Sequence, residues 1–229
     1  MGVAMTFYDD LVKETAPERA QFQNIALIRH VMANGATKDL YLDFLTQAYH
    51  HVKHTIPLLN LATICCSDAD ASYKKSLKIY MDEEAGHDEW ILDDIAALGG
   101  DSSGVRNGQG RLACRAMVSH AYYGIEHVSP YCLLGMVHVL EGQSVALAHH
   151  ARDAIVKSFG ERNVPTAYSY LTSHGSLDVQ HVSYFEKLVN GLTSSAHKAQ
   201  IVDAARDFYK LYGDIFCDLG SHHGIGEPS

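Results

Sequence analysis

The stretch Ser173-His174-Gly175-Ser176-Leu177-Asp178-Val179-Gln180-His181 decides how the whole chain is interpreted. In an α-helix, positions 174, 178 and 181 lie on one face, because spacings of three and four residues return to the same side. That face continues through Phe185 and Leu188, so two imidazoles and a carboxylate take positions that apolar side chains usually occupy. The simple alternative is an aspartate that fixes the tautomer of a core histidine. A buried carboxylate needs compensation, however, and three such residues in one row predict a metal site.

Length and composition predict one large domain. The chain has 229 residues, of which 47% are hydrophobic and only 5 are proline, and no Gly/Ser-rich linker divides it. We expect a single domain over residues 1–219 and a flexible C-terminal tail over 220–229. The formal net charge of -9 argues against nucleic acid and acidic membranes as partners.

Cysteine usage indicates a reducing compartment. The five cysteines include no C-x-x-C pair and their number is odd, so a disulfide framework is not expected. The first ten residues do not resemble a secretory signal, and no apolar run is long enough to span a bilayer. The sequence therefore predicts a cytoplasmic protein.

The hydrophobic periodicity is helical almost everywhere, which predicts an all-α fold. We expect seven helices, with a break near Pro17 and a kink at Pro57, because proline removes a backbone donor. The clearest loop covers residues 101–110. The expected helices cover about 7–32, 37–66, 67–99, 111–127, 130–159, 165–191 and 196–219.

Two other expected helices also carry acids and imidazoles among their apolar positions. The third helix places Glu84 and His87 there, and the fifth places Glu141 there. Glu83 and Glu89 are nearby alternatives of poorer phase. Two carboxylate-x-x-His pairs and a lone glutamate form the kind of ligand supply that dinuclear sites in helical bundles use. Mixed carboxylate and imidazole donors favour iron or manganese over structural zinc.

Two histidines of the second helix are open alternatives. His51 is expected to face inward and His54 to border that face. For each of them three roles stay open: a metal ligand, a hydrogen-bond partner of a ligand, or a core histidine.

The chain resembles the heme-oxygenase-like diiron oxidases and oxygenases, which share their fold with heme oxygenase, the TenA thiaminases and pyrroloquinoline-quinone synthase. The resemblance covers about residues 7–219 and is carried by Leu140-Glu141-Gly142-Gln143-Ser144 and His174-x3-Asp178-x2-His181. It implies metal-binding and catalytic roles for Glu84, His87, Glu141, His174, Asp178 and His181. Several members take a further glutamate from the preceding helix. This chain has Tyr49-His50-His51-Val52-Lys53-His54-Thr55 there, so the seventh ligand stays open.

The resemblance also implies a reaction. Two Fe(II) ions, with manganese as an alternative, would use O2 as co-substrate to oxidise a small molecule by N-oxygenation, desaturation or oxidative C–C cleavage. We expect an amino-acid- or amine-derived substrate over a fatty acid, because no run of facing apolar residues requires an acyl tunnel. An external electron donor fits this chemistry, and a homodimer is the expected assembly.

Three alternatives remain at this stage. One is the same diiron chemistry on a fatty-acid-type substrate. Another is a TenA-like hydrolase of thiamin-type pyrimidines, with Cys132 as nucleophile and a glutamate as its partner. The third is a helical interaction protein that contains only a structural metal site.

Overall fold

The computed structural model describes residues 5–226, without the side chains of residue 161 and residues 174–180. All regular elements in this described part are helical, which confirms the all-α prediction. None of these helices is both long and apolar enough to cross a membrane. The α-helices are α1 (Phe7–Glu14), α2 (Ala16–Gln23), α3 (Ala26–Asn34), α4 (Lys38–Val52), α5 (Thr55–Cys65), α6 (Ala71–Glu84), α7 (His87–Ala97), α8 (Ser102–Asn107), α9 (Leu112–Tyr123), α10 (Cys132–Phe159), α11 (Ser169–Asn190) and α12 (Ser195–His222).

The first three helices replace one long predicted helix. Thr6 and Asp9 cap α1 reciprocally, with the Thr6 N–H donating to the Asp9 carboxylate at 2.8 Å. Pro17 occupies the first turn of α2, where its missing N–H costs nothing. The predicted break near Pro17 is therefore present, and a second break at residues 24–25 separates α2 from α3.

Proline also divides the second predicted helix, but not by a kink. α4 ends at Val52 and α5 starts at Thr55, so Pro57 lies in the first turn of a new helix. The predicted loop needs a further correction, because residues 102–107 form the short helix α8. The Asp101 carboxylate caps α8 by accepting from the Gly104 N–H at 2.8 Å.

α10 is the central helix and packs against α11, α12 and α3. Close approach to α12 requires glycine at position 135, since an added Cβ would lie 2.6 Å from the Ala205 nitrogen. This packing places the following turns of α10, with Glu141, between the neighbouring helices.

The last helix extends past the predicted end of the domain. α12 continues to His222, three residues into the predicted tail, and the Ile225 N–H donates to the Gly220 carbonyl at 2.7 Å. The Ile225 side chain packs against the hydrophobic core. Residues 227–229, the last part of that tail, lie outside the described residues.

Candidate metal centre

Three acidic and imidazole side chains from three helices converge in the interior. Glu84 ends α6, Glu141 lies in the middle of α10, and His181 lies on α11. His181 Nδ1 is 3.5 Å from Glu84 Oε1 and 3.9 Å from Glu141 Oε1. Both glutamate side chains are 12% exposed and the imidazole is 7% exposed. One donor atom from each residue lies within 4.8 Å of the other two, a separation that a single metal ion can span. We call these three residues the inner group.

His87 contacts the inner group through Glu84. The sequence predicted both residues on one helix. In the structure the helix is interrupted between them at Ala85-Gly86, where Gly86 has a left-handed φ of 88°. His87 Nδ1 nevertheless lies 3.0 Å from Glu84 Oε2. Its ring stacks on Trp90 with centroids 4.2 Å apart. A tight turn between two helices therefore brings His87 to Glu84, in place of the predicted helical spacing.

The neighbouring Glu83 approaches the other side of the His181 ring. Glu83 Oε2 lies 3.6 Å from His181 Nε2, and its side chain is 43% exposed. Glu84, and not Glu83, is the member of the inner group. His174 and Asp178 lie on α11, but their side chains are outside the described residues.

The two open histidines, His51 and His54, have different surroundings. His51 is 3% exposed, as predicted for an inward-facing residue, and its ring lies edge-on to Tyr212 at 5.8 Å. His54 Nδ1 lies 3.1 Å from the Tyr122 hydroxyl, and burial lowers the pKa of His54. Neither residue belongs to the inner group as the described side chains define it.

An apolar cavity borders the inner group. It encloses about 200 Å³ and is lined by Glu84 and Glu141, by His51, and mostly by aliphatic and aromatic side chains. On α10 the lining residues run from Leu133 to Ile155, about 33 Å of helix axis at 1.5 Å per residue. The cavity therefore extends along much of α10. Among the described lining residues, none is Lys or Arg.

Tyr80 lies in the cavity wall beside the inner group. It precedes Glu84 by one turn on α6, so the two side chains share a face. Its ring is edge-on to the His181 ring, with centroids 6.4 Å apart. Burial, with the negative charge of Glu141 as a smaller contribution, raises the pKa of Tyr80, so the phenol stays neutral. Periodicity places Tyr80 on the apolar stripe of the third predicted helix.

A second group of potential ligands lies at another place in the fold and was not predicted. Asp43 of α4 meets His222 and His223 at the end of α12, with donor atoms within 4.8 Å of one another. His223 Nε2 is 3.1 Å from Asp43 Oδ2, and the Arg111 guanidinium donates to the same carboxylate. We call these three residues the outer group. The sequence did not predict the outer group, because His222 and His223 belong to the tail that was expected to be flexible.

The fold is similar to known structures over nearly the whole chain. A domain of unknown function with a heme oxygenase-like fold from Shewanella denitrificans superimposes with a TM-score of 0.85 at 20% identity, covering 97% of this chain and 95% of that one. A TenA homolog from Pseudomonas syringae gives a TM-score of 0.74 at 12% identity, covering 94% and 96%. Heme oxygenase from Leptospira interrogans gives 0.72 at 16% identity, covering 93% and 100%. The fold is therefore heme-oxygenase-like, as the sequence motifs predicted.

The sequence also matches a protein family. Residues 42–213 match the model of the iron-containing redox enzymes, and the chain belongs to that family. This segment contains all three residues of the inner group together with His87, His174 and Asp178. No curated protein matches the chain in sequence.

Proposed function

We propose that this protein is a non-heme diiron oxidase or oxygenase, which uses O2 to oxidise a small molecule bound in the apolar cavity. The observation that carries the proposal is the convergence of Glu84, Glu141 and His181, from three helices, at the wall of that cavity. Membership of the iron-containing redox enzyme family supports it.

The donor chemistry fits iron. Two nearly buried carboxylates and an imidazole form a set that suits iron or manganese, and a divalent ion would compensate the two negative charges. We assign the ring proton of His87 to Nδ1, because an ionised Glu84 can only accept a hydrogen bond. Nε2 then carries the lone pair that a metal requires. We propose His174 and Asp178 as further ligands from α11. A second ion would need these additional donors.

Bound iron would supply the O2 activation that amino-acid side chains lack. The chain's own residues hold and orient the reactants. Glu84 and Glu141 fix the charge of the centre, and His87 orients the Glu84 carboxylate through its second oxygen. The apolar cavity wall excludes water, which strengthens electrostatic interactions inside and protects reactive species from hydrolysis.

The cavity favours the apolar-chain alternative for the substrate. The sequence interpretation preferred an amino-acid-derived substrate because no acyl tunnel could be identified. The long apolar wall along α10 provides room for an acyl chain. The carboxylate of an amino acid would lack a counter-charge there, because no described lining residue is Lys or Arg. We therefore propose an elongated apolar substrate, such as a fatty-acid-type chain, for the same chemistry.

The hydrolase alternative receives less support. Cys132 is 6% exposed, and burial raises the pKa of its thiol, which disfavours the thiolate that a nucleophile needs. Cys132 is also not among the described residues that line the cavity. A purely structural metal clip would not need a neighbouring apolar cavity.

An anaerobic Fe(II) titration followed by admission of O2 tests the proposal. We expect the wild-type protein to bind about two irons per chain and then to consume O2 with an optical change. The His181→Ala and Asp178→Ala variants should lose most of this iron while keeping their helical circular dichroism. His223→Ala, which changes a histidine of the outer group, is the matched control and should bind iron like the wild type.

Two results would contradict the proposal. One is a wild-type protein that takes up no added Fe(II). The other is a His181→Ala variant with the iron content and O2 consumption of the wild type. If iron binds normally, O2 consumption with fatty acids and with amino acids then distinguishes the two substrate classes.

A further inference from the structure

The hydroxyl of Tyr80 is buried and has no hydrogen-bond partner among the described residues. The residue is 1% exposed, so solvent does not supply a partner from outside. A buried hydroxyl without a partner loses its hydration without compensation, and such groups are rare in folded proteins. The hydroxyl therefore needs an explanation beyond packing.

Other buried tyrosines of this core do have partners. The hydroxyls of Tyr41 and Tyr73 donate to the carbonyls of Ala167 and Pro130, at 3.1 Å and 3.0 Å. The Tyr131 hydroxyl donates to Asp70 Oδ1 at 2.9 Å. Tyr73 makes the contrast sharpest, because it lies on α6 on the same face as Tyr80 and is 2% exposed.

The position of Tyr80 indicates where a partner would come from. Its ring lies edge-on to His181 on one side and to Tyr184, at 5.3 Å, on another, and these contacts hold the ring in place. Tyr80 also lines the apolar cavity next to Glu84 and Glu141. We infer that a molecule bound in the cavity supplies the acceptor, because the cavity is the space that borders the Tyr80 side chain.

The charges around this end of the cavity limit the chemistry of that acceptor. Glu84 and Glu141 are acceptors when ionised, and they repel a carboxylate unless a metal ion lies between them. None of the described lining residues is Lys or Arg. An uncharged oxygen acceptor at the end of an apolar chain suits these surroundings.

We propose that Tyr80 binds substrate, donating a hydrogen bond from its hydroxyl to an oxygen acceptor on the head group of an elongated apolar molecule. The inference rests on the proposed function in taking the apolar cavity as the substrate site. In this proposal Tyr80 determines which head group is bound, and the apolar cavity wall binds the chain.

Two ligands with similar chains test this role in metal-free protein. Octanamide carries an uncharged oxygen acceptor, and nonane has none. The Tyr80→Phe variant should bind octanamide about tenfold more weakly than the wild type, the effect of one lost neutral hydrogen bond in a buried site. Its affinity for nonane should not change. Displacement of an apolar fluorescent probe from the cavity measures both affinities.

Tyr73→Phe is the matched control on the same helix. It removes a hydroxyl that donates to the Pro130 carbonyl, so it should lower the Tm of the ligand-free protein by about 2–4 °C. Tyr80→Phe removes a hydroxyl with no described partner and should leave the Tm unchanged or raise it. Tyr73→Phe should bind octanamide like the wild type.

A Tyr80→Phe variant that loses affinity for octanamide and nonane equally would overturn the proposal, because it would show a packing role. Unchanged octanamide affinity, or a Tm loss equal to that of Tyr73→Phe, would also overturn it. The metal-free assay separates this inference from the proposed function. A protein that takes up no iron but discriminates octanamide through Tyr80 would disprove the iron chemistry alone.

Discussion

The inner and outer groups each bring three potential metal ligands together. They differ in how the negative charge of their carboxylates is compensated. In the outer group, Arg111 and His223 both contact the Asp43 carboxylate, and Gln47 Nε2 lies 3.4 Å from its other oxygen. In the inner group, Glu84 and Glu141 both contact His181, and Glu84 also contacts His87. The cavity beside them contains no Lys or Arg among its described lining residues. In both groups the donor atoms lie within 4.8 Å of one another.

Because the outer group already has a guanidinium counter-charge, we expect the inner group to be the one that binds a metal ion. A cation entering the outer group would have to displace the Arg111 guanidinium from Asp43 and would gain little electrostatic energy. A cation entering the inner group would neutralise two nearly buried carboxylates. The outer group instead ties the end of α12 to α4 and α9, which fits its position at the partly exposed surface.

The largest difference that we expect between the two groups concerns the stabilisation of the protein by a bound metal ion. Mn(II), which does not react with O2 as Fe(II) does, should raise the Tm of the wild-type protein by about 5–10 °C at a hundred times its dissociation constant. Glu141→Ala should abolish most of this increase, because it removes one of the two carboxylates that we propose as ligands of the ion. Differential scanning fluorimetry with and without Mn(II) measures the shift.

Asp43→Ala is the control for that measurement, since it removes the carboxylate of the outer group. Its Tm should rise on Mn(II) addition by as much as that of the wild type. If Asp43→Ala instead eliminated the shift and Glu141→Ala retained it, the assignment of the two groups would have to be exchanged.

A smaller effect is expected on stability without metal. Asp43→Ala should lower the free energy of unfolding by about 1–2 kcal/mol, because Arg111 and His223 both lose a largely buried acceptor. Asp203→Ala is a matched control, since Asp203 pairs with Arg206 at 3.4 Å but its side chain is 74% exposed. That change should cost less than about 0.5 kcal/mol. Urea unfolding at low and high salt measures both variants, and equal losses would show that burial does not strengthen the Asp43 interactions.

Sequence periodicity predicted the helical class and the inward-facing residues better than the helix ends. Glu141, His51 and His181 are inside as predicted, because each lies within a long apolar stripe. Residue spacing along a single helix cannot show which helices meet. The convergence of α6, α10 and α11, the cavity lined by several helices, and the outer group all depend on tertiary packing.

The turn at Ala85-Gly86 was missed for a local reason. Glycine inside a helical pattern is tolerated at a modest cost, so Gly86 and Gly142 look alike in the sequence. In the structure Gly142 lies inside α10, whereas Gly86 adopts a left-handed φ of 88° and separates α6 from α7. The carboxylate-x-x-His pattern of Glu84 and His87 was therefore informative about contact, although the helical geometry assumed for it was wrong.

These two glycines provide the smallest and most specific test, because each is close in sequence to a glutamate of the inner group. An added Cβ meets no atom within 4 Å at either position, so only backbone conformation distinguishes the substitutions. Gly86→Ala should destabilise the protein by about 1 kcal/mol, since alanine disfavours the left-handed region, and should weaken Mn(II) binding by displacing Glu84 and His87. Gly142→Ala should stabilise it by about 0.5–1 kcal/mol and leave Mn(II) binding unchanged. Urea unfolding and Mn(II) titration measure both variants. Equal stabilisation by both substitutions would mean that α6 and α7 form one continuous helix in solution, and the inner group would then depend on the helical spacing after all.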